Sequence, residues 1–252
     1  VRVQAGVIKD QLNAFLKPHG FFFAPDLSTS NRATIGGMIS TDASGQGSLV
    51  YGKTSDHVLG LTSVLVDGTV LNTAPMSRQQ AEQTALQPDR IGGIYRQVLQ
   101  STTEFRQQIL DKFPRLNRFL TGYDLEHVWD TALSNFDLSR LLTGAEGSLV
   151  FVAEAKLNVT PIAPYKCLIN VKYDSFESAL RNAPFLVAAR ATSVETVDSK
   201  VLDLARNDII WHQVKNYIED VPGKTMLGLN MVEYNAENET DMQQKVAALE
   251  SR

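Results

Sequence analysis

The sequence predicts an α+β chain of two domains, and three observations carry that prediction. Residues 21–52, about 30 in a row, show no sustained period and run straight into a β-hairpin pattern. A proline pair, Pro161 and Pro164, closes an alternating strand. Beyond it, strand and helix patterns alternate in the order β-α-β-α-β, as in a sheet covered by helices on one face, the opening of a ferredoxin-like domain. The domains are accordingly placed at 1–160 and 161–252.

Taken in order, residues 1–6 alternate weakly as a strand and end at Gly6. Ile8, Leu12, Phe15 and Leu16 then recur at helical spacing until Pro18 and Gly20 stop the helix. The next segment, "APDLSTSNRATIGGMISTDASGQGSLVYG", has the composition of a loop, and a loop of that length inside a compact domain points to function. "VLGLTSVLVDGTVLNT" predicts a hairpin hinged on Asp67-Gly68, a composition suited to a type I′ turn. Residues 76–118 are polar and helical, read as an inserted helical pair with Ile91, Ile94, Tyr95, Val98 and Leu99 as its buried stripe. "LLTGAEGSLVFVAEAKLNVTP" ends the first domain in a strand. In the second, "YKCLINVKYDSF" and "MLGLNMVEYNA" predict strands, "ESALRNAPFLVAARA" a helix, and "TSVETVDSKVLDLAR" a strand turning into a helix.

With 252 residues, 43% of them hydrophobic, the chain is long enough for real cores. Its net charge is -4 with both signs scattered, which leaves no basic footprint for nucleic acid. The single Cys167, in the apolar run CLINV, excludes an internal disulfide framework and cannot alone ligate an iron–sulfur cluster; a buried structural thiol in a cytoplasmic protein is the expectation. No apolar run approaches the roughly 20 residues a membrane span needs. The opening strand, with no methionine before it, predicts an internal piece of a longer chain.

The loop at 33–47, "ATIGGMISTDASGQG", is the strongest chemical signal. Gly36, Gly37, Gly45 and Gly47 among small hydroxyl and carboxylate residues let the backbone approach a ligand and turn its N–H groups toward an anion or a ring edge. It has neither the P-loop spacing nor a G-x-G-x-x-G opening a helix. The alternative is a surface loop with turn glycines. Asp56 and His57 are neighbours, but adjacent strand residues point to opposite faces, a poor acid/base dyad. His19, His127 and His212 have no ligand spacing, so no metal site is expected within the chain.

The run from "GFFFAPDLSTSNRATIGG" to "VLVDGTVLNT", with "TGYDL" at 121–125, "GAEGSLVFVAEAKL" at 144–157 and "SVETVDSKVLDLA" at 193–205 in the same order, resembles the FAD-linked oxidases related to vanillyl-alcohol oxidase. Within that superfamily it is most similar to the branch of glycolate oxidase, D-lactate dehydrogenase and D-2-hydroxyglutarate dehydrogenase, and to the large bacterial members that fuse a flavin module to an iron–sulfur module. The resemblance implies the second subdomain of a PCMH-type FAD-binding domain, 1–160 with the insertion 76–118, and then the start of a cap.

The resemblance also implies roles. Pro25 and Asp26 would start the flavin loop, and Thr34, Gly36, Gly37, Thr41, Asp42, Ala43 and Gly45 would line pyrophosphate and isoalloxazine, with Tyr51, Gly52 and Asp56 closing the wall. Glu146, Gly147, Leu149 and Phe151 would lie along the FAD near its adenosine, although Glu146 alone reads as a solvated loop carboxylate. Asp42 stands where related enzymes often carry Asn, and Ser148 where many carry Thr. Arg118 and Tyr123 are candidates for a substrate carboxylate, because Arg binds carboxylates bidentately; a surface arginine of the insertion is the competing reading.

The implied activity is oxidation of a small D-2-hydroxy acid, of D-2-hydroxyglutarate or D-lactate type, by hydride transfer to the flavin. The catalytic base, a divalent metal with its histidine ligands and the iron–sulfur cluster would lie outside the chain, so that the isolated piece is expected to bind FAD weakly and be silent. A cytoplasmic enzyme, which could also sit at the inner membrane face and form a homo-oligomer, fits this reading. The alternatives are a flavoprotein reductase or oxidase of another PCMH branch, of the cell-wall UDP-sugar type, or a non-enzymatic ligand-binding or scaffold domain.

Overall fold

The computed structural model describes residues 1–116, 118, 122–218 and 221–250, and the chain divides into two compact units, Val1–Ile162 and Ala163–Arg252. Phe119, Leu120 and Thr121, which open the "FLTGYDL" segment, lie outside the described residues.

The first unit runs β1 (Arg2–Gln4), α1 (Lys9–Leu16), β2 (Phe21–Phe22), α2 (Ile35–Ser40), α3 (Ser48–Tyr51), β3 (Val58–Val64), β4 (Val70–Thr73), β5 (Met76–Ser77), α4 (Arg78–Ala85), α5 (Arg90–Glu104), α6 (Arg106–Lys112), β6 (Asn135–Phe136), α7 (Leu138–Leu142), β7 (Phe151–Leu157) and β8 (Thr160–Pro161). Its main sheet is antiparallel in the order β1-β7-β3-β4, and β2 pairs with β8. Leu12 and Leu16 of α1 are buried while Phe15 is 64% exposed, so the helix turns a narrower face inward than the four-residue spacing predicts.

Three local features depart from the sequence reading. The loop at 21–52 contains the short helices α2 and α3. A helix of six residues with two glycines is too short to show a period, but Thr34 caps α2 by accepting from Gly37 N–H, and Ile35, Met38 and Ile39 sink into the core. The hairpin is not closed by a type I′ turn. Leu65 C=O accepts from Gly68 N–H, Leu65 N–H donates to Thr69 C=O, and of Asp67 and Gly68 only Gly68 takes positive φ, the pattern of a three-residue loop with glycine in the left-handed position. The insertion holds three helices instead of two. Its stripe is nonetheless the one predicted, with Tyr95 buried and Ile91, Ile94, Val98 and Leu99 packed against the main core. The two-residue ribbon β5-β6 ties the start of the insertion to Asn135–Phe136, beyond its end.

The second unit runs β9 (Tyr165–Tyr173), α8 (Phe176–Ala188), β10 (Ser193–Asp198), α9 (Ser199–Arg206), α10 (Trp211–Ile218), β11 (Gly228–Ala236) and α11 (Glu239–Glu250). The sheet is antiparallel in the order β10-β11-β9, the order of the first three strands of a ferredoxin-like fold. Alternate residues of β11 serve two cores. Val232 and Tyr234 pack with Leu186 of α8, and Leu229 packs with Leu202 of α9 and Met226. Because side chains alternate across a strand, helices cover both faces, not the single face expected.

Candidate functional site

The site begins where α2 is clipped to the end of β1. Ile35 N–H donates to Val7 C=O and Gly36 N–H to Ala5 C=O, both at 2.8 Å. The approach is so close that a Cβ at Gly36 would stand 2.8 Å from Ala5 Cβ, which leaves room only for glycine. Further along, Gly45 packs against the backbone of Asp26: a Cβ there would fall 2.0 Å from the Asp26 carbonyl oxygen.

A second loop closes the other end of α2. Gly144 N–H donates to Ile39 C=O and Glu146 N–H to Ser40 C=O, each at 2.8 Å, satisfying carbonyls that a helix end leaves open. Left-handed backbone at Gly144, Glu146 and Gly147 turns the chain around that end before β7 starts. Two segments far apart in sequence, the Gly36-Gly37 loop and the Glu146-Gly147 turn, therefore share one helix.

Between them lies a concavity of about 400 Å³, lined by Ala5, Gly6, Thr34, Gly36, Gly37, Ser40, Gly147, Val150, Phe151 and Val152. Thr34, Gly36, Gly37, Gly147 and Phe151 were legible as site residues; Ala5, Gly6, Ser40, Val150 and Val152 were not, although Gly6 at a strand end was a signal. The other sequence candidates take positions around this lining. Ala43 C=O accepts from both the N–H and the hydroxyl of Thr54, and the Thr41 hydroxyl donates to Gly37 C=O. Asp26 pairs with Lys9 at 2.8 Å, a buried lysine that sequence reasoning missed. Pro25 adjoins that pair in the chain. Tyr51 C=O accepts from His57 Nε2 at 2.7 Å, while Gly52 precedes Lys53, whose N–H donates to Asp56. Leu149 is half-exposed beside Phe151, itself 72% exposed.

The loop's donors are largely spent. Gly37 N–H goes to Thr34 Oγ1, Met38 N–H to Thr34 C=O, and the N–H groups of Thr41, Asp42 and Ala43 to carbonyls of α2. What residues 34–43 present to a ligand is accordingly a surface of small residues, Thr34, Gly36, Gly37 and Ser40, more than a row of N–H groups. Such a wall fits a dinucleotide. Its lining holds no carboxylate to oppose a pyrophosphate, a Cβ at Gly147 would meet open space, and Val150 and Phe151 offer apolar contact for a ring.

Charged groups are concentrated behind the wall. Asp42 accepts from Ser55 N–H at 2.8 Å and from Lys53 Nζ at 2.5 Å. Burial pushes the Asp56 carboxyl up, but the Lys53 N–H and the Arg140 guanidinium at 2.8 Å outweigh it and hold it below the usual carboxylate range. Burial likewise raises Asp124, and the hydrogen bond from His127 at 2.9 Å more than reverses it; the same bond raises His127 above its ordinary value against the effect of burial. Arg118 donates to the Ser44 hydroxyl at 3.3 Å, and the Tyr123 hydroxyl meets the Ser148 hydroxyl at 2.9 Å. Among the described residues, no group of three or more His, Cys, Asp or Glu could hold a metal ion, and no helix is long and apolar enough to cross a membrane.

The chain carries regions that match two FAD-related domain families. Residues 1–74 match the family described as FAD binding domain, and residues 162–252 match that of FAD linked oxidases, C-terminal domain. Over all of its 252 residues it is 61% identical to D-2-hydroxyglutarate dehydrogenase of Escherichia coli (strain K12), and over 248 residues 54% identical to that of Pseudomonas putida; it covers 25% of each. To the glycolate oxidase subunit GlcD of Bacillus subtilis it is 26% identical over 202 residues, 79% of the chain and 32% of that protein. The chain thus spans a quarter of the length of these two dehydrogenases. Solved structures of alkyldihydroxyacetonephosphate synthase share the fold, with a TM-score of 0.58 at 14% identity over 99% of this chain and 37% of theirs.

Proposed function

We propose that this chain supplies one wall of the flavin site, and the beginning of the cap, in an FAD-dependent dehydrogenase that oxidises D-2-hydroxyglutarate. The observation that carries the reading is the shared helix α2: it brings Gly36, Gly37 and Gly147 to one concavity whose lining holds no carboxylate. Thr34, Gly36, Gly37 and Gly147 would hold the dinucleotide by close backbone approach, with Phe151 against a ring. Bound FAD supplies the hydride acceptor, since the hard chemistry of such enzymes belongs to the cofactor. The remaining tasks of this chain are to bind, orient and exclude water. Arg118 and Tyr123, hydrogen-bonded to Ser44 and Ser148, would meet the carboxylate of an anionic substrate. In this reading the base, the metal, the iron–sulfur cluster and the electron acceptor's contacts come from outside the chain, and the enzyme works in the cytoplasm, the reducing compartment that the unpaired Cys167 suits.

The test is anaerobic mixing of the full-length flavoprotein with D-2-hydroxyglutarate, D-lactate, glycolate and the L-enantiomers. Rapid bleaching of the visible flavin band by D-2-hydroxyglutarate in preference to the others is expected. Bleaching by none of them, or by the L-enantiomer equally, contradicts the reading.

A further inference from the structure

Lys53 and Asp42 form an ion pair almost sealed from solvent, their side chains 9% and 8% exposed. Burying two full charges carries a desolvation cost that the attraction often fails to exceed, and apolar replacement of such pairs commonly leaves a protein as stable as before. Fold stability alone therefore explains the pair poorly.

Its position gives a second reason. Asp42 follows the C-cap of α2, Thr41, and takes the left-handed region at φ +47°. Three contacts hold it there: the N–H and the hydroxyl of Ser55, at 2.8 and 3.1 Å, and the Lys53 ammonium at 2.5 Å. Gly144, whose N–H closes α2 on Ile39 C=O, passes so near that a Cβ on it would stand 3.2 Å from Asp42 Cβ. The charge on Lys53 also acts on Asp124, and its N–H binds Asp56, whose other oxygen takes Arg140 of α7. One residue thus ties the end of α2 to the element that leads into the Glu146-Gly147 turn.

We propose that Lys53 is a positioning residue for the dinucleotide: with Asp42 it forms a clasp that keeps the α2 loop and the 144–147 turn at the separation the cofactor requires. The inference rests on the reading of the concavity as a flavin wall.

The test uses the full-length protein and the double variant Asp42→Asn/Lys53→Met, which removes both charges and keeps an amide oxygen for Ser55 N–H. FAD affinity is read by flavin fluorescence during titration of the apoprotein, and the thermal midpoint of the apoprotein is read alongside. A pair that only stabilised the fold would lower the midpoint and leave the affinity alone. The clasp predicts an unchanged midpoint and a Kd about tenfold higher, as expected when preorganisation is lost. A Kd within about twofold of the parent overturns the clasp, whatever the midpoint. If the double variant does not fold, Lys53→Arg decides, because a planar guanidinium cannot reproduce the point contact of an ammonium: a raised Kd supports the clasp and an unchanged one overturns it. A parent protein that binds no FAD removes the flavin-wall reading itself, and the clasp with it.

Discussion

Gly36 and Ala5 are in backbone contact: the Gly36 N–H donates to the Ala5 carbonyl at 2.8 Å, and any Cβ on Gly36 would collide with the Ala5 side chain. That contact seats α2 on the end of β1 and forms the floor of the concavity. Gly36→Val is therefore expected to push α2 off its seat and to weaken FAD binding by about fivefold or more in the full-length protein, from about 1–3 kcal/mol of overpacking. Flavin content after purification and titration of the apoprotein measure it.

Glycines elsewhere give the contrast. Gly45→Ala would put a methyl 2.0 Å from the Asp26 carbonyl oxygen, whereas Gly93, inside α5, has nothing within 4 Å of the corresponding position. The first substitution should lower the thermal midpoint. The second should raise it slightly, since alanine in an unstrained helix gains about 0.4–1 kcal/mol over glycine. Parallel melts of the two variants check the pair of signs.

Ile39 is fully buried, and its carbonyl receives the Gly144 N–H. Ile39→Ala should cost about 2–5 kcal/mol of stability. Because the cavity forms under α2, FAD affinity should fall as well, which chemical denaturation and fluorescence titration would show together. Affinity unchanged at lowered stability would mean that α2 does not position the site.

The His127–Asp124 pair makes stability depend on pH in a definable window. His127 has its folded pKa raised above 6.5, so its contribution is fully present below 6.5 and is lost as pH rises through the folded value. Asp124 is lowered below 3.8, so its contribution is present above 3.8 and is lost as pH falls through the folded value. Both operate together between 3.8 and 6.5. His127→Gln should flatten the decline in denaturation midpoint that the parent shows above pH 6.5, and an unaltered decline would place its origin elsewhere.

Much of this was readable from residue patterns, and the failures have local causes. The second-domain strands were visible because Val232 and Tyr234 alternate with the polar Glu233 and Asn235, yet the same strand hid its second core: Leu229 and Met231 are apolar on the opposite face, and only the packing of Leu202 and Met226 shows that a helix covers them. The stripe of α5 was legible at helical spacing, whereas α2 was not, since a helix of six residues is defined by the Thr34 cap and by burial instead of by period. Gly36, Gly37, Glu146 and Gly147 stood out as site candidates. Lys9 and Lys53 did not, because a lysine in a sequence gives no sign that it will be buried against a carboxylate. The resemblance placed Asp42 at a ligand-lining position, and the structure supplies its cation.

Hydrogen–deuterium exchange of the full-length protein with and without FAD decides whether the α2 loop and the 144–147 turn together face the cofactor. The account predicts that FAD protects amides in two separated segments, residues 33–45 and 144–152, with the insertion helices α4 and α5 unaffected. Protection confined to other parts of the protein, with these two segments exchanging alike in both states, would contradict it.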